Sequence, residues 1–192
     1  MKTITIHLTA ILVLTCAASV WAGAAKPDLP TPPEAFTAKF IETRTLPGFD
    51  QPLVSHGLAT FNRARGVTWE VTSPYHYVFE MNPTGVEEQM PDGSVRHLDA
   101  QQTPWLGVVR QVFSGALAGD TSELEQYFDV QVSKLKDGRR IELVPKPGAM
   151  SQVIKHISVV EAGTPQSLRI DEASGGRIEI RFLDARAVQD AP

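Results

Sequence analysis

The stretch TPWLGVVRQVFSGAL, residues 103–117, is the one long helical pattern in a sequence that otherwise reads as β-strands. Its large apolar residues recur at the three- and four-residue spacing of one helix face. They are Trp105, Leu106, Val109, Val112, Phe113, Ala116 and Leu117, and Val108 widens the stripe. Thr103 fits the N-cap, Pro104 the first helical position, and Gly119 the end. An apolar helix in a β-rich chain predicts an apolar core or an apolar cavity beneath it.

The N-terminal 22 residues have the anatomy of a signal peptide. Lys2 supplies the positive start, residues 4–17 are apolar, and Val20-Trp21-Ala22 fits a small-residue cleavage site, with a second choice near Ala25. The apolar run is short for a membrane span, so a membrane anchor is the weaker alternative. Lipidation of Cys16 is a second alternative, but Val13-Leu14-Thr15 is a poor lipobox. The sequence therefore predicts export of a chain processed at about residue 22.

The segment after the signal peptide divides into a lead-in and one domain. Residues 23–33 include KPDLPTPP, whose four prolines predict an extended lead-in. Residues 34–192 are enough for one domain with a full hydrophobic core. Cys16 is the only cysteine, so the processed chain has no disulfide or thiol chemistry. Acidic residues outnumber basic residues 22 to 18, and no basic patch is interleaved with aromatics, which argues against nucleic-acid binding.

The rest of the chain alternates between apolar and polar residues at the period of β-strands. Four strands are predicted first, at 36–44, 53–62, 67–72 and 75–81, followed by two short ones near Val86 and Val95. After the apolar helix, Asp120 and Glu123 predict a capping box and a short helix to about Tyr127. Five more strands are predicted at 128–132, 140–144, 153–160, 166–171 and 177–182. This spacing favours an antiparallel meander or barrel, with Gly57 at a bulge or close approach.

No pattern of catalytic or metal-binding residues stands out. His56, His76, His97 and His156 lie far apart and are expected to be surface or strand-facing histidines, and no metal site is predicted. The pairs Glu87-Glu88 and Asp171-Glu172 are expected to be solvated charges at turns rather than acid–base pairs. There is no nucleophile elbow and no phosphate-binding loop. A binding protein without enzymatic activity is therefore favoured over an unrecognised hydrolase.

A set of seven aromatic residues has two interpretations. They are Phe36, Phe40, Phe61, Trp69, Phe79, Trp105 and Phe113. The set forms either an ordinary hydrophobic core or the lining of a cavity for an apolar ligand. The width of the apolar stripe at 103–117 favours the cavity, because it exceeds what one sheet face requires.

Three parts of this pattern, taken in order, resemble the periplasmic outer-membrane lipoprotein carriers of the LolA family. The first is Phe36-x-x-x-Phe40, then Gly57 and Phe61, then Val67-Thr-Trp69 followed by Ser73-Pro74, which resembles the opening strands of that family. The second is Thr103-Pro104-Trp105-Leu106 with its apolar continuation, which resembles the lid helix. The third is IELVPKP, ending at Pro147, which resembles the strand that follows. The resemblance covers residues 34–183 and rests on order and spacing rather than on a single motif.

This resemblance implies a mainly β (α+β) fold, an incomplete antiparallel β-barrel with a helical lid over an apolar cavity. The residues assigned to the cavity and lid are Phe36, Phe40, Phe61, Trp69, Val71, Phe79, Trp105, Leu106, Val109, Val112 and Phe113. It further implies an arginine that hydrogen-bonds the lid backbone, and either Arg63 or Arg65 occupies that place, with a solvated turn arginine as the alternative. No cofactor is implied.

The implied function is that of a monomeric periplasmic carrier. It would take the acyl chains of a lipoprotein, or of a lipid or glycolipid, from an inner-membrane exporter and pass them to an outer-membrane acceptor. Two departures from the family matter. KPDLPTPP precludes the family's N-terminal helix, unless a short turn survives at Glu34, and so predicts a leakier closed state. Leu46-Pro-Gly-Phe49 resembles a divergent branch associated with glycolipid or polyene lipid export, which leaves the cargo open between lipoprotein and free lipid. The alternative within the same fold is a lipid-sensing regulatory module.

Overall fold

The computed structural model describes residues 33–82, 85–98, 121 and 124–188 of the chain. These residues form one antiparallel sheet of eleven strands in the order β6-β5-β4-β3-β2-β1-β11-β10-β9-β8-β7. The strands are β1 (Ala35–Thr45), β2 (Leu53–Asn62), β3 (Gly66–Ser73), β4 (Tyr77–Asn82), β5 (Gly85–Gln89), β6 (Val95–Leu98), β7 (Phe128–Leu135), β8 (Gly138–Pro145), β9 (Ile154–Glu161), β10 (Pro165–Glu172) and β11 (Arg177–Ala187). The prediction of a mainly β, antiparallel fold is confirmed.

The sheet is open and is not closed into a barrel. Among the described residues, β6 and β7 each pair with a single neighbour and form its two edges. The sheet has two halves, β1 to β6 and β7 to β11, and within each half neighbouring strands follow one another in the chain. The first and last strands join the halves, because β1 pairs with both β2 and β11. Of the predicted incomplete barrel, the described residues support an open antiparallel sheet.

The helical part of the prediction has a different outcome. The predicted lid helix at 103–117 lies outside the described residues, and the described part contains no α-helix, so the structure does not support a helical lid. In place of the short helix predicted to end near Tyr127, the described chain has a single 3-10 turn at Leu124–Gln126, and a second at Met150–Gln152. The capping residues Asp120 and Glu123 lie outside the described residues.

Curvature of the sheet brings side chains of distant strands together on one face. Flat strands lie about 4.8 Å apart, so β3 and β11, three positions apart, would be separated by about 14 Å. Yet the ring centroids of Trp69 in β3 and Phe182 in β11 are 6.2 Å apart, in an edge-to-face arrangement. The curved sheet therefore has an inner face, on which these rings meet, and an outer face.

Gly57 permits this close packing. The register between β2 and β3 shifts between His56 and Gly57, as expected of a bulge. A Cβ atom on Gly57 would lie 2.0 Å from the carbonyl oxygen of Glu70 and 2.5 Å from Cζ of Phe40. The prediction of a bulge or close approach at Gly57 is confirmed, because the absence of a side chain makes room for the Phe40 ring.

The core lies on the inner face and extends across both halves of the sheet. Alternation along each strand turns every second residue inward. The buried inner residues from the second half are Phe128, Ile141, Leu143, Ile157, Val159, Leu168, Ile180 and Phe182. They join one continuous apolar cluster with the aromatic residues of β1 to β3. We call this apolar cluster the apolar floor, and the candidate site lies beside it.

Candidate functional site

The structure gathers on the inner face all six cavity residues predicted in its described part. Five are buried and the sixth is half-buried; in order they are Phe36, Phe40, Phe61, Trp69, Val71 and Phe79. Phe36 stacks on Phe61 with ring centroids 5.3 Å apart, across the β1–β2 pairing. The other predicted residues, Trp105, Leu106, Val109, Val112 and Phe113, lie outside the described residues. Both interpretations of the aromatic set stand, because these rings pack against one another as a core and also form one apolar surface.

Polar residues continue the inner face beyond its aromatic floor. Glu42 and Arg44 follow Phe40 in β1 with the same inward parity, and Tyr77 precedes Phe79 in β4 in the same way. We name as the inner polar cluster Glu42, Arg44, Tyr77, Glu88, Arg96 and Glu172. The cluster adjoins the apolar floor, since the cross-strand partner of Glu42 in β11 is Ile180.

Two ion pairs organise the inner polar cluster. Nη2 of Arg44 donates to Oε1 of Glu172 at 3.0 Å, and the Glu172 side chain is 19% exposed. Arg96 in β6 donates to Oε2 of Glu88 in β5, its directly opposite neighbour. Each arginine therefore has one carboxylate partner, and Glu42 is the third carboxylate of the cluster.

Glu42 has an unusual electrostatic environment. Burial raises the pKa of its carboxyl group, and the positive charge of Arg44 only partly opposes this shift. Beside it, Nε of Arg44 is buried without a hydrogen-bond partner. The cluster thus holds polar groups whose hydrogen-bonding capacity the described protein does not use.

Tyr77 connects the two sides of the cluster. Burial raises the pKa of its phenol, the negative charges of Glu42 and Glu88 raise it further, and Arg44 lowers it. Residues from β1 and β5 therefore act on one phenol in β4. A neutral phenol donates and accepts hydrogen bonds, so the cluster combines charged and uncharged polar groups.

A buried ion pair stands apart at the opposite half of the sheet. Nε of Arg139 in β8 donates to Oε1 of Glu161 in β9 at 2.5 Å, and the two side chains are 11% and 6% exposed. Burial raises the pKa of Glu161, against the hydrogen bond and the charge of Arg139. The two side chains hydrogen-bond to each other, and Nη2 of Arg139 is left without a hydrogen-bond partner. We read it as a structural pair within the core.

The outer face of β8 to β11 carries an ionic network. His156 lies between two carboxylates, with Nε2 at 2.5 Å from Glu142 and Nδ1 at 3.6 Å from Asp171. Arg177 and Arg169 also pair with Asp171, at 2.7 and 3.0 Å. A cleft of about 520 Å³ runs along this face beside Glu142 and His156. The network joins strands through charges, on the face away from the apolar floor.

The predicted turn position was wrong for one acidic pair and close for the other. Glu87 and Glu88 lie within β5, whereas Asp171 and Glu172 end β10, directly before the turn at residues 173–175. Glu88 and Glu172 belong to the inner polar cluster, whereas Asp171 belongs to the outer network. Adjacent residues in a strand face opposite sides of the sheet. Period-two alternation in the sequence is therefore the signal that could have assigned the two residues of each pair to different faces.

The two candidate latch arginines occupy the turn between β2 and β3. The side-chain oxygen of Asn62 accepts hydrogen bonds from the backbone N–H groups of Ala64 and Arg65 and so holds this turn. Nε of Arg63 lies 3.1 Å from Oε2 of Glu34, and the Arg63 N–H donates to the Glu34 carbonyl. Arg63 is therefore bound to Glu34, just before β1. Contact of either arginine with the predicted lid stays a prediction, because residues 103–117 lie outside the described residues.

The described ranges offer neither a membrane-spanning helix nor a metal centre. Within residues 33–82, 85–98 and 124–188, no helix is long and apolar enough to cross a bilayer. Across the same residues, no three histidine, cysteine or acidic side chains are grouped as metal ligands would be.

Comparison with known proteins finds a family model that matches most of the chain. The model described as "Outer membrane lipoprotein carrier protein LolA-like" matches residues 16–191. No curated protein sequence matches the chain.

Several solved structures are similar to the chain at low sequence identity. A LolA superfamily protein from Nitrosomonas europaea is 12% identical with a TM-score of 0.45, and the match covers 85% of this chain and 90% of that one. A putative outer membrane lipoprotein-sorting protein domain from Vibrio parahaemolyticus is 10% identical, with a TM-score of 0.45 and coverages of 82% and 87%. The MucA/MucB complex of Pseudomonas aeruginosa gives 14% identity, a TM-score of 0.42 and coverages of 82% and 53%.

Proposed function

The chain belongs to the LolA-like family of outer membrane lipoprotein carrier proteins, and from this membership we propose that it is a periplasmic carrier of acylated cargo. In this proposal the acyl chains of a lipoprotein, lipid or glycolipid lie against the apolar inner face and are passed toward the outer membrane. Binding is non-covalent, and the protein has no enzymatic role. No cofactor takes part.

The observation that carries this proposal is the continuous apolar inner face of an open, curved sheet. Aromatic residues of β1 to β3 and aliphatic residues of β8 to β11 form one surface. An acyl chain is a run of methylene groups, and each buried methylene stabilises the bound state by about 0.8 kcal/mol. Relative to water, a chain of about 15 carbons therefore gains roughly 12 kcal/mol, which keeps the cargo bound while it crosses an aqueous compartment.

Release requires that part of this energy be offset. We propose that residues 103–117 form a helix whose apolar stripe covers the inner face when no cargo is bound. Loading then exposes the stripe, at about 1.5–3 kcal/mol for each large apolar side chain. This cost weakens net binding enough for transfer to an acceptor. Arg63 or Arg65 is proposed to hold the closed state through hydrogen bonds to the lid backbone.

The proposed location and partners follow from the N-terminal sequence and the family. Residues 1–22 are removed on export, and the processed chain acts as a monomer in the periplasm. An inner-membrane exporter loads it and an outer-membrane acceptor unloads it. Intact mass of the exported protein tests the first step: residues 1–22, or slightly more, are absent if the proposal holds, and a diacylated Cys16 at the N-terminus contradicts it.

The function itself is tested by mass spectrometry of lipid that co-purifies with the exported protein. Phe79 and Val78 are half-buried neighbours in β4 that face the inner and outer sides, so Phe79→Glu and Val78→Glu form a matched pair. We expect bound lipid in the parent and in Val78→Glu, and loss of lipid in folded Phe79→Glu. Equal lipid in both variants contradicts binding at the inner face.

The same preparation separates the carrier from its alternatives. A carrier passes its lipid to outer-membrane vesicles, whereas a sensing module retains lipid and changes its affinity for a partner protein. A hydrolase returns altered lipid and is labelled by active-site probes. Retention without transfer, or labelling by such a probe, therefore contradicts the carrier proposal.

A further inference from the structure

The inner polar cluster contains more hydrogen-bonding groups than the described protein satisfies. Nε of Arg44 is buried without a hydrogen-bond partner, and the carboxyl group of Glu42 lies beside it, partly buried. Buried polar groups in folded proteins are almost always hydrogen-bonded. Unused groups beside an apolar floor are therefore expected to meet the polar part of a ligand whose apolar part lies on that floor.

The position of the cluster supports this assignment. Glu42 is two residues from Phe40, and both point to the inner face of β1. Phe40 stacks on Trp69 with ring centroids 3.9 Å apart, so the aromatic floor begins directly beside the cluster. On the other side Tyr77 packs against the core, and the negative charges of Glu42 and Glu88 raise the pKa of its phenol. An amphipathic molecule lying on this face would place its chains over Phe40 and Trp69 and its head over Glu42 and Tyr77.

The charge of the cluster limits the chemistry of that head group. Glu42, Glu88 and Glu172 provide three carboxylates, while Arg44 and Arg96 provide two guanidinium groups. Both guanidinium groups already pair with a carboxylate, so a phosphate would compete with Glu172 and Glu88 for their positive charge. An anionic head would meet an excess of negative charge, and a cationic head would meet Arg44 next to Glu42. Hydroxyl and amide groups fit, because they hydrogen-bond to carboxyl, phenol and guanidinium groups alike.

We propose that the inner polar cluster is a head-group subsite that selects acylated cargo with an uncharged, hydroxyl- or amide-bearing head. The subsite rests on the proposed carrier function, since it presumes that acyl chains bind the inner face. It adds a preference that the apolar floor alone does not provide. Phosphate-headed lipids with the same chains are bound more weakly.

The test compares two lipids with identical acyl chains and different heads. Dilauroyl monoglucosyl-glycerol and dilauroyl phosphatidylglycerol compete with a fluorescent fatty-acyl probe for the processed full-length chain. We expect the glucosyl lipid to displace the probe at a several-fold lower concentration than the phosphatidyl lipid. Glu42→Lys leaves two carboxylates against three cations and should reverse this preference, while Glu42→Gln, a smaller change that keeps the side-chain size, should reduce it.

Glu80→Lys is the matched control, because Glu80 is an exposed outer-face residue of β4 and the change of charge is the same. It should leave the preference as in the parent. Equal displacement by both lipids in the parent, or a preference that Glu42→Gln and Glu42→Lys leave unchanged, overturns the subsite while the carrier function stands. Failure of both lipids to displace the probe, or failure of the probe to bind, overturns the carrier function and the subsite with it.

Discussion

Phe40 in β1 stacks on Trp69 in β3 with ring centroids 3.9 Å apart, although β2 lies between their strands. The contact exists because residue 57, the β2 partner of Phe40, is a glycine over which the Phe40 ring can lie. A single glycine in the sequence therefore allows the Phe40 and Trp69 rings to meet across β2. Their contact forms part of the apolar inner face on which the proposed function depends.

Gly57→Ala is therefore expected to be strongly destabilising. The added methyl group would lie 2.0 Å from the Glu70 carbonyl oxygen, which is backbone and moves only with β3. Overpacking of this kind costs about 1–3 kcal/mol, and we expect a loss at the upper end of that range in urea unfolding. The double variant Gly57→Ala/Phe40→Ala should not recover the loss, since the Glu70 oxygen remains. Parent-like stability of Gly57→Ala would refute the close approach.

Glu42→Gln should stabilise the protein at neutral pH. Burial raises the pKa of Glu42 in the folded state, so the folded protein binds a proton more tightly than the unfolded chain. The associated stability is fully present below the unfolded pKa of about 4.3 and is lost as the pH rises through the folded pKa. Glutamine stays neutral and avoids this loss. Urea midpoints of variant and parent should agree near pH 4 and diverge in favour of the variant toward pH 8.

Asp171→Asn is expected to show the opposite dependence. Burial alone raises the pKa of Asp171, but hydrogen bonds from Arg177 and Arg169 and their charges outweigh it, so the pKa is lowered. This stability is present above the unfolded pKa of about 3.9 and is lost as the pH falls through the folded pKa. The variant should be less stable than the parent at pH 7, and the difference should shrink in acid. A pH-independent difference would mean that the lost contacts are not charge-dependent.

Alternation along single strands accounts for the part of this site that could be predicted from the sequence. Phe36, Phe40 and Trp69 repeat at period two with polar neighbours, so their shared face follows from strand geometry alone. Glu42 and Arg44 have the same parity, but a charged residue near a strand end reads equally well as solvated. The partial burial of Glu42 depends on curvature, which brings Tyr77 of β4 near it. Those relationships arise between strands, and the sequence of one strand does not contain them.

The hairpins were predictable for a similar local reason, and the long-range pairing was not. A tight hairpin joins β7 and β8 next to the predicted position, but its two loop residues are Lys136 and Asp137, and Gly138 begins β8. The pairing of β1 with β11 joins residues more than 130 positions apart, as in Phe40 opposite Phe182. No turn residue specifies such a contact. It is set by the match of two apolar strand faces in the folded chain.

Val109→Glu tests the proposed lid, which lies outside the described residues. Val109 is at the middle of the apolar stripe of residues 103–117, and a carboxylate there would face the apolar inner surface without a partner. We expect loss of fatty-acyl probe binding or loss of stability. Gln111→Glu adds the same charge on the polar side of the helical pattern and should leave both unchanged. If Val109→Glu leaves probe affinity and stability as in the parent, the stripe covers neither a cavity nor a core.

The final prediction concerns the proposed latch and compares Arg63→Leu with Arg65→Leu. An arginine has five N–H donors and stays charged, and each charge-assisted hydrogen bond to a lid carbonyl contributes about 1.5–3 kcal/mol to the closed state. Loss of the latch should leave loading intact, because the inner face remains apolar, but should reduce transfer of lipid to outer-membrane vesicles. Arg63 also pairs with Glu34, so Glu34→Gln is a control that breaks this ion pair and keeps the arginine. If both arginine variants transfer lipid at the parent rate, neither residue is the latch, and if Glu34→Gln reproduces the defect of Arg63→Leu, the ion pair with the domain start explains it instead.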